Sequence, residues 1–441
     1  MNSTNKQLFD FISASPTAFH AAASVARALD NAGYTALSEA DKWTLTPGRG
    51  YYITRNGSSV IAFRVPTGDF SCFMLAAAHS DAPCFKIKEN AMLGDGTYIR
   101  ISAEKYGGML CAPWMDRPLG VAGRVVLRTA DGITTRLVDL GHDDEGSPVT
   151  NAVIPSVAIH MNRAANDGAS YNPAVDMVPL AGLASSSADV RASAAARLGV
   201  SADDILACDL YVYNPQPGTE WNGLIASPRL DDQQCAFACT KGFINAAETG
   251  ETGACPVLCV FDNEEVGSQT RQGAASTFLW DVLLRMSTCL GLSREELMCR
   301  LASGLMLSCD NGHAVHPNHP EFADKNHTVK PNGGVVIKYN ASQKYTSDGI
   351  SAALFGLICK DAGVPVQTYT NRADIAGGST LGNISGTQVS VPTVDIGLAQ
   401  LAMHSSYETG GADDTEYMVR ALTAFFRRSL TMSGDGTYML K

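Results

Sequence analysis

The chain has 441 residues, 45% hydrophobic and 17% charged, with a formal net charge of -11. That is enough apolar material for two or three domains with sizeable cores, and no repeat or low-complexity signature is present. An acidic balance without a Lys/Arg cluster argues against nucleic acid as a partner, and no run of about 18 apolar residues exists to span a membrane.

Residues 1–34 carry charges through their apolar stretch, which predicts an amphipathic helix rather than a secretory signal. The 12 cysteines are scattered rather than framed, so the expected location is the cytoplasm. Next come "SSVIAFRV" and "CFMLAAAH", read as paired strands, the second almost wholly apolar and therefore central. Residues 92–217 differ. They are Gly-rich, with short alternating strands in "GRVVLRTADGITTRLVDL" and "SVAIHMN" and a helical or flexible piece, "ASSSADVRASAAARLG".

After residue 217 the alternation becomes regular. Helix "DDQQCAFACTKGFINAAE" leads to strand "PVLCVFD", and helix "TFLWDVLLRMSTCLGL" leads, through a second helix, to strand "LMLSCD". Strand "GVVIKYN", helix "DGISAALFGLICKDAG", strands "PVQTYT" and "VPTVDIG" and a closing helix, "TEYMVRALTAFFRRSL", complete the series. Strands separated by helices predict an α/β fold, three layers α/β/α, with a sheet covered on both faces. Residues 1–91 then return to pack with 218–441 as one discontinuous domain, and 92–217 form an inserted β-rich domain.

Polar residues gather where the apolar strands run out. "VFDNEEVGSQT" puts Asp262, Glu264 and Glu265 directly after "ACPVLCVF". Carboxylates this close repel and raise one another's pKa, so the run is either a solvated turn or the seat of a cation. "AAAHSDAPCF" offers His79 and Asp81 on one strand face, where a carboxylate can fix an imidazole's tautomer. "SPRLDDQQ" offers Asp231 and Asp232, equally readable as helix caps. "MLSCDNGHAVHPNHP" offers Asp310, His313, His316 and His319, and "QLAMHSSYE" offers His404. The pairs Cys235/Cys239 and Cys255/Cys259 have the wrong spacing for zinc knuckles and read as buried thiols.

Open α/β sheets build sites at the edge where these residues fall. Imidazoles and carboxylates in this number suit two divalent ions such as zinc, with one carboxylate bridging. Glu265 would then be a ligand, and its neighbour Glu264 a general base for the attacking water.

The stretches "SPTAFHA", "AAHSDAPCFKIK", "IPSVAIHMNR", "SPRLDDQ", "DNEEVGS", "DNGHAVHPN", "VIKYNASQKY" and "QLAMHS" resemble, in order and over essentially the whole length, the aspartyl aminopeptidase family of zinc metallopeptidases. The resemblance implies His79, Asp231, Glu265, Asp310 and His404 as metal ligands, with Asp231 bridging, Glu264 as general base and Asp81 beside it in the catalytic set. It implies two divalent ions per chain, zinc with manganese or cobalt as alternatives at one site. It also implies that the inserted domain serves dimerisation and covers the site, in a tetrahedral dodecamer built from dimers.

On the substrate side, Lys338 and Tyr345 match positions that hold the first side chain, and His313 joins them. His160 matches a histidine lent by a neighbouring subunit. Read alone, Lys338 would be a snorkelling surface lysine and His160 a core histidine. One departure is visible: where the family typically reads Leu-Asp-Asn, this chain has Leu230-Asp231-Asp232. The expected function is a metal-dependent aminopeptidase acting on peptides, preferring N-terminal Asp or Glu. The alternatives are an aminopeptidase for neutral residues and, from another class, a self-assembling scaffold or cargo protein with a silent site.

Overall fold

In the computed structural model, which describes residues 2–247 and 253–441, the strand Cys72–His79 is buried along its whole length. Its side chains alternate between two cores. Cys72, Met74, Ala76 and Ala78 enter one, and Phe73, Leu75 and Ala77 enter the other. Burial on both faces is why its sequence shows no polar alternation.

The strand is central to a nine-stranded sheet in the order Thr35–Leu37, Gly50–Arg55, Ser59–Arg64, Ala254–Phe261, Cys72–His79, Leu305–Cys309, Thr393–Gly397, Val335–Tyr339, Val366–Thr370. The sequence suggested that Ser59–Arg64 and Cys72–His79 pair with each other, and they do not. Ala254–Phe261 lies between them, antiparallel to the first and parallel to the second. All eight of its residues are buried, so it belongs in the middle of a sheet. Four neighbouring strands, from Ala254–Phe261 to Thr393–Gly397, run parallel, and their C-terminal ends emerge at one edge.

Helices Ser3–Ser13, Ala18–Asn31, Leu230–Ala246, Gly349–Asp361 and Asp414–Phe426 cover one face, and Phe278–Cys289, Arg294–Ala302 and Leu381–Ser385 the other. Local chemistry sets their ends. Asp348 accepts from Ile350 N and Ser351 N, and Ser293 forms a capping box with Glu296. At Gly242 a Cβ would lie 2.6 Å from Leu422 Cβ, so glycine lets Leu230–Ala246 and Asp414–Phe426 meet. The expected helical residues Met1 and Glu248 lie outside the described residues.

A six-stranded antiparallel sheet takes Gly132–Asp139, Gly120–Thr129, Ile205–Tyr213, Cys84–Gly94, Tyr98–Tyr106 and Leu180–Leu183, around a core that includes Phe85, Trp114 and Leu210. "SVAIHMN" is not a strand. Val157, Ile159 and Met161 are 59%, 47% and 81% exposed, on a loop with no sheet neighbour among the described residues. Asp414–Phe426 does not close the series either, because buried Leu430 starts a hairpin, Leu430–Gly434 with Thr437–Leu440.

A third, five-stranded sheet orders Thr219–Trp221, Leu224–Ser227, Glu408–Gly411, Ala399–Leu401 and Gly312–His313. It ties the segments that follow the large sheet's edge to one another. Among the described residues no helix is long and apolar enough to cross a membrane.

Candidate metal centre

His79 ends its strand, Asp262 follows Phe261, and Asp310 follows Cys309, so one sheet edge delivers all three. Asp231 lies at the centre of what gathers there. Its Oδ1 is 3.4 Å from His79 Nε2, and its Oδ2 is 3.3 Å from His404 Nε2. His79 Nε2 lies 3.9 Å from Asp310 Oδ1, and His404 Nε2 lies 3.4 Å from Glu265 Oε1. Potential ligand atoms within 4.8 Å of one another come from three overlapping groups: His79, Asp231, Asp232, Asp310; His79, Glu264, Glu265; and Asp231, Glu265, His404.

These residues fit divalent cations. Asp231 Oδ1, Asp232 Oδ1 and Glu265 Oε1 are buried without a hydrogen-bond partner, an arrangement that costs free energy unless a cation meets them. Imidazole with carboxylate is a donor set for zinc and similar ions.

Asp231 and Asp232 do not cap the helix they begin. Their backbones are non-helical, at φ -83°, ψ 110° and φ -118°, ψ 24°, and the peptide between them is cis. Their side chains turn into the site instead, where Asp232 Oδ2 accepts the His79 N–H at 3.2 Å.

Charges balance within the cluster. Burial alone would lower the pKa of His404, but Asp231 and Glu265 outweigh it and hold it up at about 10. His79 is raised in the same way, against burial, by the surrounding aspartates. Burial would raise Asp231, yet the two imidazoles hold it well below the usual carboxylate range. Burial, reinforced by Asp310 and Asp81, pushes Glu264 up to about 8, and burial with Asp81 pushes Asp262 to about 7. Metal binding at such a cluster would release protons.

Asp81 positions two parts of the site. His79 Nδ1 lies 3.1 Å from its main-chain oxygen and 3.3 Å from Oδ1. Its carboxylate accepts Glu264 N–H and Glu265 N–H, each at 3.1 Å, and the Tyr106 hydroxyl at 2.7 Å. Tyr106 arrives from the six-stranded sheet. The next residue, Gly107, has φ 78°, and a Cβ there would sit 3.0 Å from Glu265 Cβ. Leu110 N–H then binds His404 O at 3.1 Å. Sequence reasoning missed this strap, although the glycine pair after Tyr106 is a signal of close backbone approach.

A cavity of about 290 Å³ opens beside the cluster, lined by His79, Asp231, Glu264 and Asp310 and, across from them, by His313, Lys338, Tyr345 and Thr380. Lys338 does not snorkel; it is 1% exposed. Its Nζ donates to Asp310 O at 2.8 Å, lies 3.5 Å from Asp310 Oδ2, and sits 5.1 Å from the Tyr345 ring centroid. His313 is exposed at the cavity wall.

Other candidates lie elsewhere. His316 and His319 stack on an exposed loop with centroids 5.4 Å apart and are not part of the cluster. His160 is not a core histidine; it lies on the exposed 155–162 loop and is not among the residues lining the cavity. Cys235, Cys239, Cys255 and Cys259 are buried free thiols, and no potential metal group among the described residues contains a cysteine.

Residues 11–426 match the model of the family described as aminopeptidase I zinc metalloprotease (M18). A Clostridium novyi protein described as a probable M18 family aminopeptidase 2 is 39% identical over 432 residues, covering 95% of this chain and 98% of that protein. Ape4, solved by cryo-EM in complex with Nbr1, superposes with TM-score 0.90 at 30% identity, covering 96% of this chain and 85% of its own. The S. cerevisiae mApe1 dodecamer gives TM-score 0.82 at 27% identity, covering 96% of each chain.

Proposed function

The chain belongs to the aminopeptidase I (M18) family of zinc metalloproteases and is a metal-dependent aminopeptidase; from that premise we propose that it removes Asp or Glu from peptide N-termini at a dinuclear centre. In this reading His79 and Asp310 serve one ion, Glu265 and His404 the other, and Asp231 both. The observation that carries it is Asp231 itself, a buried carboxylate whose two oxygens face different imidazoles at 3.4 and 3.3 Å. The ions are zinc, with manganese or cobalt as alternatives at one position. Held there, they would supply Lewis acidity and acidify water for attack on the first peptide carbonyl.

The chain's own residues do the rest. Glu264, beside Glu265 at the cluster, takes a proton from the attacking water and returns it to the leaving amine. Asp81 holds the Glu264 and Glu265 amides and the His79 ring, so base and ligands keep one geometry. An acidic first side chain enters the cavity toward Lys338, whose charge offsets the surrounding carboxylates, with the Tyr345 hydroxyl and His313 beside it. One observation favours a second reading, turnover of neutral residues: Lys338 Nζ already serves Asp310 O and Asn311 O.

His160 completes the site of a neighbouring subunit in this proposal. The bare Val157, Ile159 and Met161 around it support a homo-oligomeric contact. The dodecamer of the yeast relative supports a homo-oligomer, in this proposal a tetrahedral dodecamer built from dimers. Sheet membership supports dividing the chain into residues 1–91 with 218–441 as the catalytic domain and 92–217 as an insertion, its first strand reaching back to Cys84; dimerisation and lid are the roles proposed for that insertion. Free cysteines support a cytoplasmic location.

The decisive experiment is a turnover panel of N-terminal residues on zinc-loaded protein, with metal content measured on the same sample. Two ions per chain and faster cleavage of Asp and Glu substrates are expected. Equal cleavage of Leu or Ala substrates overturns the acidic preference, and full activity in metal-free protein overturns the mechanism.

A further inference from the structure

Glu408 closes the stretch "QLAMHSSYE", in which only His404 was singled out, yet it is among the most deeply enclosed carboxylates, 1% exposed. It opens the small-sheet strand Glu408–Gly411 and lies opposite Ser227 in register, beside the strand that leads the chain into Asp231. Its Oε2 accepts the Asp231 N–H at 3.0 Å, and its Oε1 accepts the His404 N–H at 2.7 Å. One side chain thus grips the backbone of two ligand positions.

The two grips differ in consequence. Asp231 faces both halves of the centre, whereas His404 faces only the Glu265 half. His404 also has φ 64°, in the left-handed region that a non-glycine residue holds only when its surroundings impose it. Glu408 fixes the amide on one side of that residue, and Leu110 N–H fixes the carbonyl on the other, at 3.1 Å. A carboxylate suits this task because its two oxygens receive two N–H groups together. A glutamine of the same size offers one acceptor and sets an N–H₂ against the second amide.

We propose that Glu408 is a positioning residue that holds the His404–Glu265 half of the centre in register with the bridging Asp231, so that it governs the second ion selectively. The role rests on the ligand assignment proposed above.

The test is Glu408→Gln in the full-length protein, titrated with zinc against a chromophoric chelator to resolve two binding steps. Removing a hydrogen bond that orients a ligand typically weakens metal affinity roughly 10- to 100-fold. That loss is expected at one step only, with the other step within a few-fold of wild type. kcat should fall at limiting zinc and recover with excess zinc, while KM stays near wild type. A merely structural role would weaken both steps alike, and that result overturns the proposal, as does a variant that binds both ions like wild type. Wild-type protein that binds fewer than two ions overturns the ligand assignment itself, and this role with it. Should the Gln variant not fold, Glu408→Asp keeps the charge but loses reach to one amide, and the same two-step comparison applies.

Discussion

His79 is 1% exposed, at the end of a strand buried along its length, and is enclosed by Asp81, Asp231, Asp232 and Asp310. His160 lies on a loop where Val157, Ile159 and Met161 are 59%, 47% and 81% exposed. Around the first, unpaired oxygens face inward and call for a cation; around the second, bare apolar side chains face outward and call for another surface. The contrast teaches that the proposed chemistry and its proposed completion are separable. One can be destroyed inside a single chain, and the other only by changing how chains meet.

The most severe break comes from within. Chelation should abolish turnover while far-UV circular dichroism of the fold persists, because cores on both faces of the nine-stranded sheet do not depend on an ion. Next, Glu264→Gln should keep metal content and lose kcat by roughly 10²-fold or more, while Glu265→Gln should lose metal at one position. Equal metal content in both variants would show that the roles of these neighbours are misassigned.

The His160 loop is broken from without. A variant that stays monomeric should bind metal and yet be inactive. Complementation sharpens the point: Glu264→Gln chains retain His160, and His160→Ala chains retain the base. Mixing them as equal partners should recover activity at about one quarter of sites, since two independent halves must both be intact. No recovery, or an active monomer, places His160 outside catalysis.

Between the two regions stands Lys338. A desolvated charge-assisted hydrogen bond contributes about 1.5–3 kcal/mol, or roughly 10- to 150-fold in kcat/KM. Lys338→Met should therefore erase most of the ratio of Asp or Glu over Leu substrates. Because Lys338 Nζ also holds Asp310 O at 2.8 Å, rates on all substrates should fall together as well. The ratio reports specificity and the common fall reports the lost tie to Asp310. A ratio unchanged by the substitution removes Lys338 from substrate choice.

What the sequence disclosed follows the same division. A carboxylate or imidazole after a fully apolar strand is visible without coordinates, because the strand's two-sided burial is written in its composition. His79, Asp262 and Asp310 were legible for that reason. Neighbourhood was not. Nothing local says that Ala254–Phe261 separates Ser59–Arg64 from Cys72–His79, or that two four-residue strands place Ser227 opposite Glu408. Tyr106 reaches Asp81, and Glu408 reaches Asp231, across such long-range contacts. Asp231 and Asp232 looked like caps because they precede a helix, and only the turned backbone sends them elsewhere. "SVAIHMN" alternates like a strand, but its apolar residues Val157, Ile159 and Met161 stand exposed on a loop.

The smallest expected effect is thermal and belongs to the buried cluster alone. Burial pushes the pKa of Asp262 up to about 7 and of Glu264 to about 8. Carboxyls with raised folded-state values bind protons more tightly folded than unfolded, so between about pH 4.5 and 8 the native state carries the extra protons and stability falls as pH rises. His404, held up at about 10, acts in the same direction: its contribution is complete below about 6.5 and is lost as pH climbs through 10. Metal-free protein should therefore melt at a higher temperature at pH 5 than at pH 8. Zinc displaces these protons and binds better as pH rises, so the gap between zinc-loaded and metal-free melting temperatures should widen over the same range. Differential scanning calorimetry at pH 5, 6.5 and 8, with and without chelator, measures both slopes. A His160→Ala variant should trace the wild-type curves. A metal-free melting temperature that rises from pH 5 to 8 would mean that the buried carboxyls do not hold their protons in the folded chain, and the electrostatic account of the cluster would fail with it.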